Sequence, residues 1–283
     1  MRHVLFNPIS SNNKGEEIAK KFISHVHLDK DQSQLAFRDI TKTDCMYLMN
    51  SLEEGDEVFI VGGGGTILRF ANEIKGIELK NDIFFAPAGV GNDFFTDIAK
   101  PGEEYTRVNE YIIRVHSAII NGKEYPFLTD VGMGIDGYVC RLGNTSRDPD
   151  QNFNYSFAVV NGICGKYKPC GCSVIVDGGE EEYFDNVWMA STLGGKTYGG
   201  GVKIAPTYDR LEADYLELII FTSPSAAKTL LAFPSIKNGT HADKNVGTHI
   251  FRGKKITVKF TSPRDAQVDG DTIPDVLEYT ATF

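Results

Sequence analysis

Three loops in this chain carry residue types suited to holding a phosphate chain. The strongest is residues 56–74, DEVFIVGGGGTILRFANEI, where a buried-strand pattern runs into Gly62, Gly63, Gly64 and Gly65, then Thr66, then an amphipathic helical pattern. Glycines let backbone amides approach phosphate oxygens closely, and the start of the following helix adds a partial positive charge. The same stretch also reads as a tight strand-to-helix turn, although four consecutive glycines carry a large entropic cost for a turn alone. It fits neither G-x-x-x-x-G-K-[ST] nor G-x-G-x-x-G, so neither a Walker-type ATPase nor a Rossmann dinucleotide site is implied. A second glycine loop, Ala86-Pro-Ala-Gly89-Val-Gly91-Asn92-Asp93, again leaves a strand-like run and enters a short helical one. Asn92 or Asp93 suits the N-cap there, which is the plainer role for either. Near the N-terminus Asn7-Pro-Ile-Ser10 leaves another strand, with Lys14-Gly15 at a helix entrance. Loops at the ends of neighbouring parallel strands converge on one crevice, where open α/β sheets bind ligands.

The elements that must position these loops can be read from the hydrophobic rhythm. The first hundred residues alternate short apolar runs (HVLFN, DEVFIVGG, IFFAP) with amphipathic ones (GEEIAKKFISHV, TILRFANEI), the pattern of an α/β sheet. From about Glu110 the segments become strand-like, as in EYIIRVHSAII, CSVIVDG, YLELIIF and KKITVKF, separated by Gly, Asn and Asp turns. Helical patterns at roughly 154–167 and 225–237 interrupt them. The expected architecture is an α/β domain over 1–107 and a β-rich domain over 108–283, the boundary lying near Arg107.

Composition narrows the function. The 283 residues are 41% hydrophobic, enough for a packed core, and no run approaches the roughly 18 apolar residues of a membrane helix. The expected location is therefore the cytoplasm. A formal net charge of −9 disfavours nucleic acid and broad contact with anionic surfaces, leaving a local basic patch and amide-based anion binding open. Five scattered cysteines read as free thiols, and Cys164 with Cys170-Gly-Cys172 lacks the second pair that a zinc site needs. His25-Val-His27 reads as solvated surface. No H-E-x-x-H or G-x-S-x-G occurs, so metalloprotease and hydrolase readings have no support.

Taken in order, the N-P-x-S loop at Asn7–Ser10, the glycine loop ending in Thr66 and the P-x-G-x-G-N-D-F segment from Pro87 to Phe94 resemble the diacylglycerol kinase catalytic domain family, which includes sphingosine and ceramide kinases. The second half continues the likeness. Val131-Gly-Met-Gly-Ile-Asp136, Gly165-Lys-Tyr-Lys-Pro169, Gly199-Gly-Gly-Val-Lys-Ile-Ala-Pro206 and Val268-Asp-Gly-Asp271 resemble successive family segments. The resemblance implies an α/β nucleotide-binding domain and a β-rich, β-sandwich-like second domain with a cleft between them, the last residues returning to the first, and transfer of the ATP γ-phosphoryl group to a lipid hydroxyl with Mg²⁺ by a protein that touches a membrane peripherally. It also implies that Asn7, Ser10, Gly63, Gly65, Thr66, Gly89 and Asn92 line the phosphates and nucleoside and that Asp269 is the general base. Read without it, Asp269 is an ordinary Asp-Gly turn residue. Glu212 and Asp214, in Leu211-Glu-Ala-Asp214, fall where the family carries an acidic stretch, and the resemblance implies a Mg²⁺ there. Two departures stand out. Gly64 occupies the family's aspartate position in the glycine loop, and Ala213 replaces the second acid of the later stretch. The Gly64 departure supports an alternative, a catalytically impaired member that binds nucleotide or lipid. Lys166, Lys168 and Arg210 are read as lipid-headgroup contacts or solvated surface, and Phe127, Phe153, Phe157, Leu230 and Phe233 as acyl-chain pocket or core. The lipid acceptor and the oligomeric state, a homodimer included, stay open.

Overall fold

The computed structural model describes residues 1–28, 32–88, 92–145, 154–244 and 246–283. They divide into two compact units, Met1–Val115 and His116–Phe283.

In the first unit, β1 (Arg2–Phe6), β2 (Leu35–Asp39), β3 (Glu57–Gly62), β4 (Asp82–Pro87) and β5 (Thr106–Arg107) form one sheet in the order β2-β1-β3-β4-β5. The first four are mutually parallel and β5 closes the edge antiparallel to β4. Glu57–Gly62 is central and buried along nearly its whole length, which its uninterrupted apolar run anticipates. Gly15–His25 turns Ala19 and Ile23 inward, and its outer face is laced by Glu16–Lys20 and Glu17–Lys21 pairs at 2.6 Å. Phe59 and Phe84 stack at 4.9 Å while Phe22 and Tyr105 pack on their edges, binding helix and sheet into one core. The unit runs past residue 107 because Asn109 serves the sheet edge: its Oδ1 accepts from Ile83 N at 2.9 Å and its Nδ2 donates to Asn81 O at 2.8 Å.

In the second unit, β6 (His116–Ile120), β7 (Lys123–Phe127), β8 (Asp130–Gly134), β9 (Cys170–Val176), β10 (Glu182–Leu193), β11 (Leu216–Thr222), β12 (Thr248–Gly253), β13 (Lys255–Val268) and β14 (Asp271–Thr282) form one nine-stranded sheet. Both β8 and β9 bridge β10 to β13. They use successive stretches of each, so the two short strands share one slot between two long ones. Val131, Met133, Val174, Ala190, Leu218, Val258 and Phe260 fill the core this creates. The closing strand stays in this unit, pairing with β13 and β6, and does not return to the first. Tyr155–Asn161 and Ala226–Lys237 match the two helical patterns; the first continues through a π turn at Gly162–Lys166. Among the described residues no helix is long and apolar enough to cross a membrane, a statement that does not bear on membrane-crossing strands.

Gly15 joins the fold to the first loop. A Cβ there would lie 1.8 Å from Asn7 O, so the helix can begin against that carbonyl only with glycine. Gly15→Ala is expected to lower stability by roughly 1–3 kcal/mol, the usual range for forced overpacking, as read by urea unfolding.

Candidate functional site

In the first unit the parallel pairing puts the carboxyl ends of β1, β3 and β4 side by side, and each gives way to a loop and a helix start. With β1 flanked by β2 on one side and β3 on the other, the chain reverses its order of winding between β1 and β3, where ligands bind in such sheets. Backbone bonds extend the register beyond the strands: Asn7 N donates to Val61 O at 3.3 Å and Ala88 N to Gly62 O at 2.8 Å.

The side chains gather there. Asn7 Nδ2 donates to Thr66 Oγ1 at 2.9 Å, and Ser10 Oγ lies 3.5 Å from the same hydroxyl. Ser11 Oγ donates to Ala88 O at 3.0 Å, tying the first loop to the third. Ser11, Asn12 and Asn13 all hold left-handed backbone, with φ of 52°, 57° and 65°. Such a run costs on the order of 1 kcal/mol per residue and persists only where the surroundings impose it, a common feature of ligand-binding turns. Gly62 is tightly enclosed, since a Cβ would come 2.5 Å from the Thr66 side chain. Gly63, Gly64 and Gly65 face open space, since a Cβ added at any of them would meet nothing within 4 Å, and Gly63 caps the helix Gly64–Glu73 without any side-chain acceptor. The amides at that helix start are thus free of a side-chain cap. Asn92 caps Asp93–Ile98 by accepting from Phe95 N at 3.0 Å, as its sequence position suggested; its Nδ2 is buried and finds no acceptor among the described residues. Asp93 opens that helix, where a carboxylate favours the helix dipole. Gly89 and Gly91 lie outside the described residues. The donor set of hydroxyls, amides and one orphaned amide nitrogen fits a phosphate chain. A groove of about 770 Å³ opens at the same strand ends, lined by Ile18, Phe22, His25, Val61, Ala86 and Pro87, with His25 paired to Glu104 at 3.0 Å.

In the second unit, Asp269 and Gly270 form the two-residue turn between β13 and β14, with φ of 45° and 90°. This is the Asp-Gly hairpin turn that the sequence alone suggests. The carboxylate does more. Its Oδ2 accepts from Leu128 N at 2.8 Å, and its Oδ1 accepts from Thr129 N at 2.8 Å and Asp130 N at 2.9 Å. Burial pushes the carboxyl above its usual range, against the pull of the three amides and of the Arg210 charge. Arg210, expected as headgroup contact or solvated surface, is instead buried and donates through Nη1 to Leu128 O at 2.6 Å.

A buried polar network behind this turn was not legible in the sequence. Ser191 Oγ donates to Asp136 Oδ2 at 2.6 Å, Gly137 N donates to Asp136 Oδ1 at 2.8 Å, and Gln267 Nε2 donates to Asp130 Oδ2. The signal available was Gly132 in the Val131–Asp136 segment: a Cβ there would lie 2.1 Å from Asp136 Oδ2.

Other candidates are not brought together. Asp214 pairs with Lys254 at 3.3 Å, and the backbone N of Glu212 donates to Asp209 Oδ1 at 3.2 Å in an Asx-type turn. No group of three or more His, Cys, Asp or Glu able to hold a metal occurs among the described residues, so Glu212 and Asp214 do not form such a set. Phe127 belongs to the sheet core, Leu230 packs on a separate cluster and Phe157 is 64% exposed, so these do not line one pocket. Phe153 and the Lys166 side chain lie outside the described residues.

Burial raises the Asp136 carboxyl from the ordinary value of 3.8, with Ser191, Gly137 and Gln267 opposing the rise. Above that ordinary value the folded chain holds a proton that the unfolded chain releases. Asp136 therefore favours folding at low pH and progressively less as pH rises through its raised folded value. Urea unfolding from about pH 4 to about pH 8 is expected to show this decline, and Asp136→Asn to flatten it.

Two family models match the chain, one after the other. The diacylglycerol kinase catalytic domain model matches residues 2–122, and the YegS C-terminal NAD kinase beta sandwich-like domain model matches residues 129–280. A diacylglycerol kinase of Mycobacterium tuberculosis (strain CDC 1551 / Oshkosh) is 25% identical over 248 residues, covering 84% of this chain and 79% of that protein. YtlR of Bacillus subtilis (strain 168), provisionally named a lipid kinase, is 25% identical over 234 residues, covering 76% and 73%. A solved Bacillus anthracis str. Sterne structure, provisionally named a diacylglycerol kinase, superposes with a TM-score of 0.63 at 16% identity, covering 99% of this chain and 91% of that one, which shows the shared fold. With one domain model following the other along nearly its whole length, the chain belongs to the diacylglycerol kinase catalytic domain family of lipid kinases.

Proposed function

We propose that this chain transfers the γ-phosphoryl group of ATP to the hydroxyl of a lipid alcohol, diacylglycerol being the first candidate. The observation that carries the proposal is the Asn7–Ser10–Thr66 cluster beside the open backbone of Gly63–Gly65. In this reading the amides at the start of Gly64–Glu73, the Thr66 and Ser10 hydroxyls and the Asn92 Nδ2 hold the phosphates. The groove beside His25 takes the nucleoside. Phosphoryl transfer asks mainly for positioned phosphates and neutralised charge, and amides with helix starts supply both on a chain of net charge −9.

Asp269 accepts the proton of the lipid hydroxyl, whose oxygen gains the γ-phosphoryl group as that group's bond to ADP breaks and ADP leaves, and a carboxyl whose proton affinity is raised by burial suits that task. The Leu128–Asp130 amides and Arg210 keep the carboxylate oriented. Phe157, 64% exposed on Tyr155–Asn161, and Leu231, 81% exposed on Ala226–Lys237, project apolar surface suited to peripheral contact with a membrane from the cytoplasmic side. The divalent cation of the reaction is assigned to the nucleotide's own phosphates. The described residues offer no cluster of three acidic or imidazole ligands, and no step here runs through it.

One residue favours a second reading. Gly64 leaves the phosphate loop without a carboxylate, as in a catalytically impaired binding module. Its negative-φ helix position and open surroundings would accept one without strain. Purified chain and its Gly64→Asp variant, each with labelled ATP, Mg²⁺ and diacylglycerol in mixed micelles, separate the readings. Labelling of lipid by the chain itself is the expected result. Labelling only after Gly64→Asp, on the roughly 10²- to 10⁴-fold scale of a single catalytic group, supports the impaired module. Labelling by neither contradicts the kinase reading.

A further inference from the structure

We propose that Gln267 is a positioning residue for Asp269, acting through a buried bridge to Asp130; the proposal rests on the reading of Asp269 as proton acceptor. Gln267 is 2% exposed and lies two residues before Asp269 on β13, across from Gly132 on β8. Its amide is used at both ends. Oε1 accepts from Gly270 N at 2.9 Å, and Nε2 donates to Asp130 Oδ2. Asp130 in turn meets Asp269 through its backbone twice, since its N–H donates to Asp269 Oδ1 at 2.9 Å and its C=O accepts from Asp269 N at 2.9 Å. Gln267 therefore closes a ring of hydrogen bonds that includes both residues of the turn and the start of β8.

An Asp-Gly hairpin turn does not need this ring. Two-residue turns of that type close on strand pairing and on the positive φ of their central residues. A matched apolar pair in place of a buried amide and carboxylate would often serve folding as well or better. What the ring adds is direction. It fixes Gly270 and Asp130 relative to each other, and so fixes where the Asp269 carboxylate meets the Leu128–Asp130 amides.

The test is a polarity swap. Gln267→Glu keeps the acceptor for Gly270 N and sets a carboxylate against Asp130, breaking the bridge. Asp130→Asn combined with Gln267→Glu restores an amide–carboxylate bond in the opposite sense. Asp130→Ala alone removes the acceptor, breaking the same bridge from the other side, and replaces Gln267→Glu if that variant does not fold. Two readouts are followed: kcat and KM for ATP in the mixed-micelle assay, and the amide ¹H–¹⁵N shifts of Leu128 and Thr129, which report the Asp269 carboxylate without any turnover. The expected result is a loss of about tenfold or more in kcat with KM within about threefold, displaced Leu128 and Thr129 shifts, and recovery of both in the double variant. Unchanged kcat and shifts in Gln267→Glu overturn the proposal, as does a double variant that unfolds like the parent chain and recovers neither. A parent chain that transfers no phosphoryl group, with shifts that still move and recover as described, supports the bridge and contradicts the kinase reading alone.

Discussion

The parallel register of β1, β3 and β4 is the constraint on which the first unit depends. Because these strands run together and end together, three loops of different composition emerge at one edge. Two backbone bonds carry the register past the strand ends, one from Asn7 to Val61 and one from Ala88 to Gly62. The register thereby assembles a hydroxyl cluster that no single loop contains, with Thr66 buried between Asn7 and Ser10. The glycines divide the work. Gly15 and Gly62 are small because their neighbours leave no room, whereas Gly63 to Gly65 border open space. Close packing secures the scaffold and the uncrowded backbone leaves amides available to an anion.

The second unit solves a different problem, holding carboxylates at the margins of a β-sheet, in a strand, a turn and a helix start. Asp269, Asp130 and Asp136 are each met by hydrogen-bond donors: backbone amides for Asp269, Gln267 for Asp130, and Ser191 with Gly137 for Asp136. Donors of this kind make buried carboxylates tolerable without making them exposed, and they hold them at fixed angles. The same residues therefore serve folding and chemistry. The left-handed Asp269 is at once the first residue of a hairpin turn and an acceptor of three amides.

Much of this was legible in the sequence because it depends on local pattern. The apolar run of Glu57–Gly62, the amphipathic Gly15–His25 and the Asn92 cap each arise from spacing and residue type, and the Asp-Gly turn at 269–270 from turn chemistry. The illegible part depends on contacts between residues far apart in the chain. Asp130 meets Gln267, Asp136 meets Ser191, and Arg210 meets Leu128; nothing in the neighbourhood of either partner announces the other. Arg210 misled for that reason, since an arginine beside acidic residues reads as surface until its carbonyl partner is known. The acidic stretch at 212–214 misled in the opposite way: Glu212 and Asp214 are close in sequence, yet Asp214 turns to Lys254. The side chain of Asn109 completes β4, a bond no periodicity reports.

The central claim, that the loops at the ends of β1, β3 and β4 hold the phosphates of a nucleotide, is tested most directly by a crystal structure with bound ADP. The expected result is diphosphate oxygens within hydrogen-bond distance of the Gly64 or Gly65 amide and of the Thr66 or Ser10 hydroxyl, with no rearrangement of the Asn7–Thr66 bond. A diphosphate seated elsewhere, or glycine-loop amides left without an anion at saturating ADP, contradicts it.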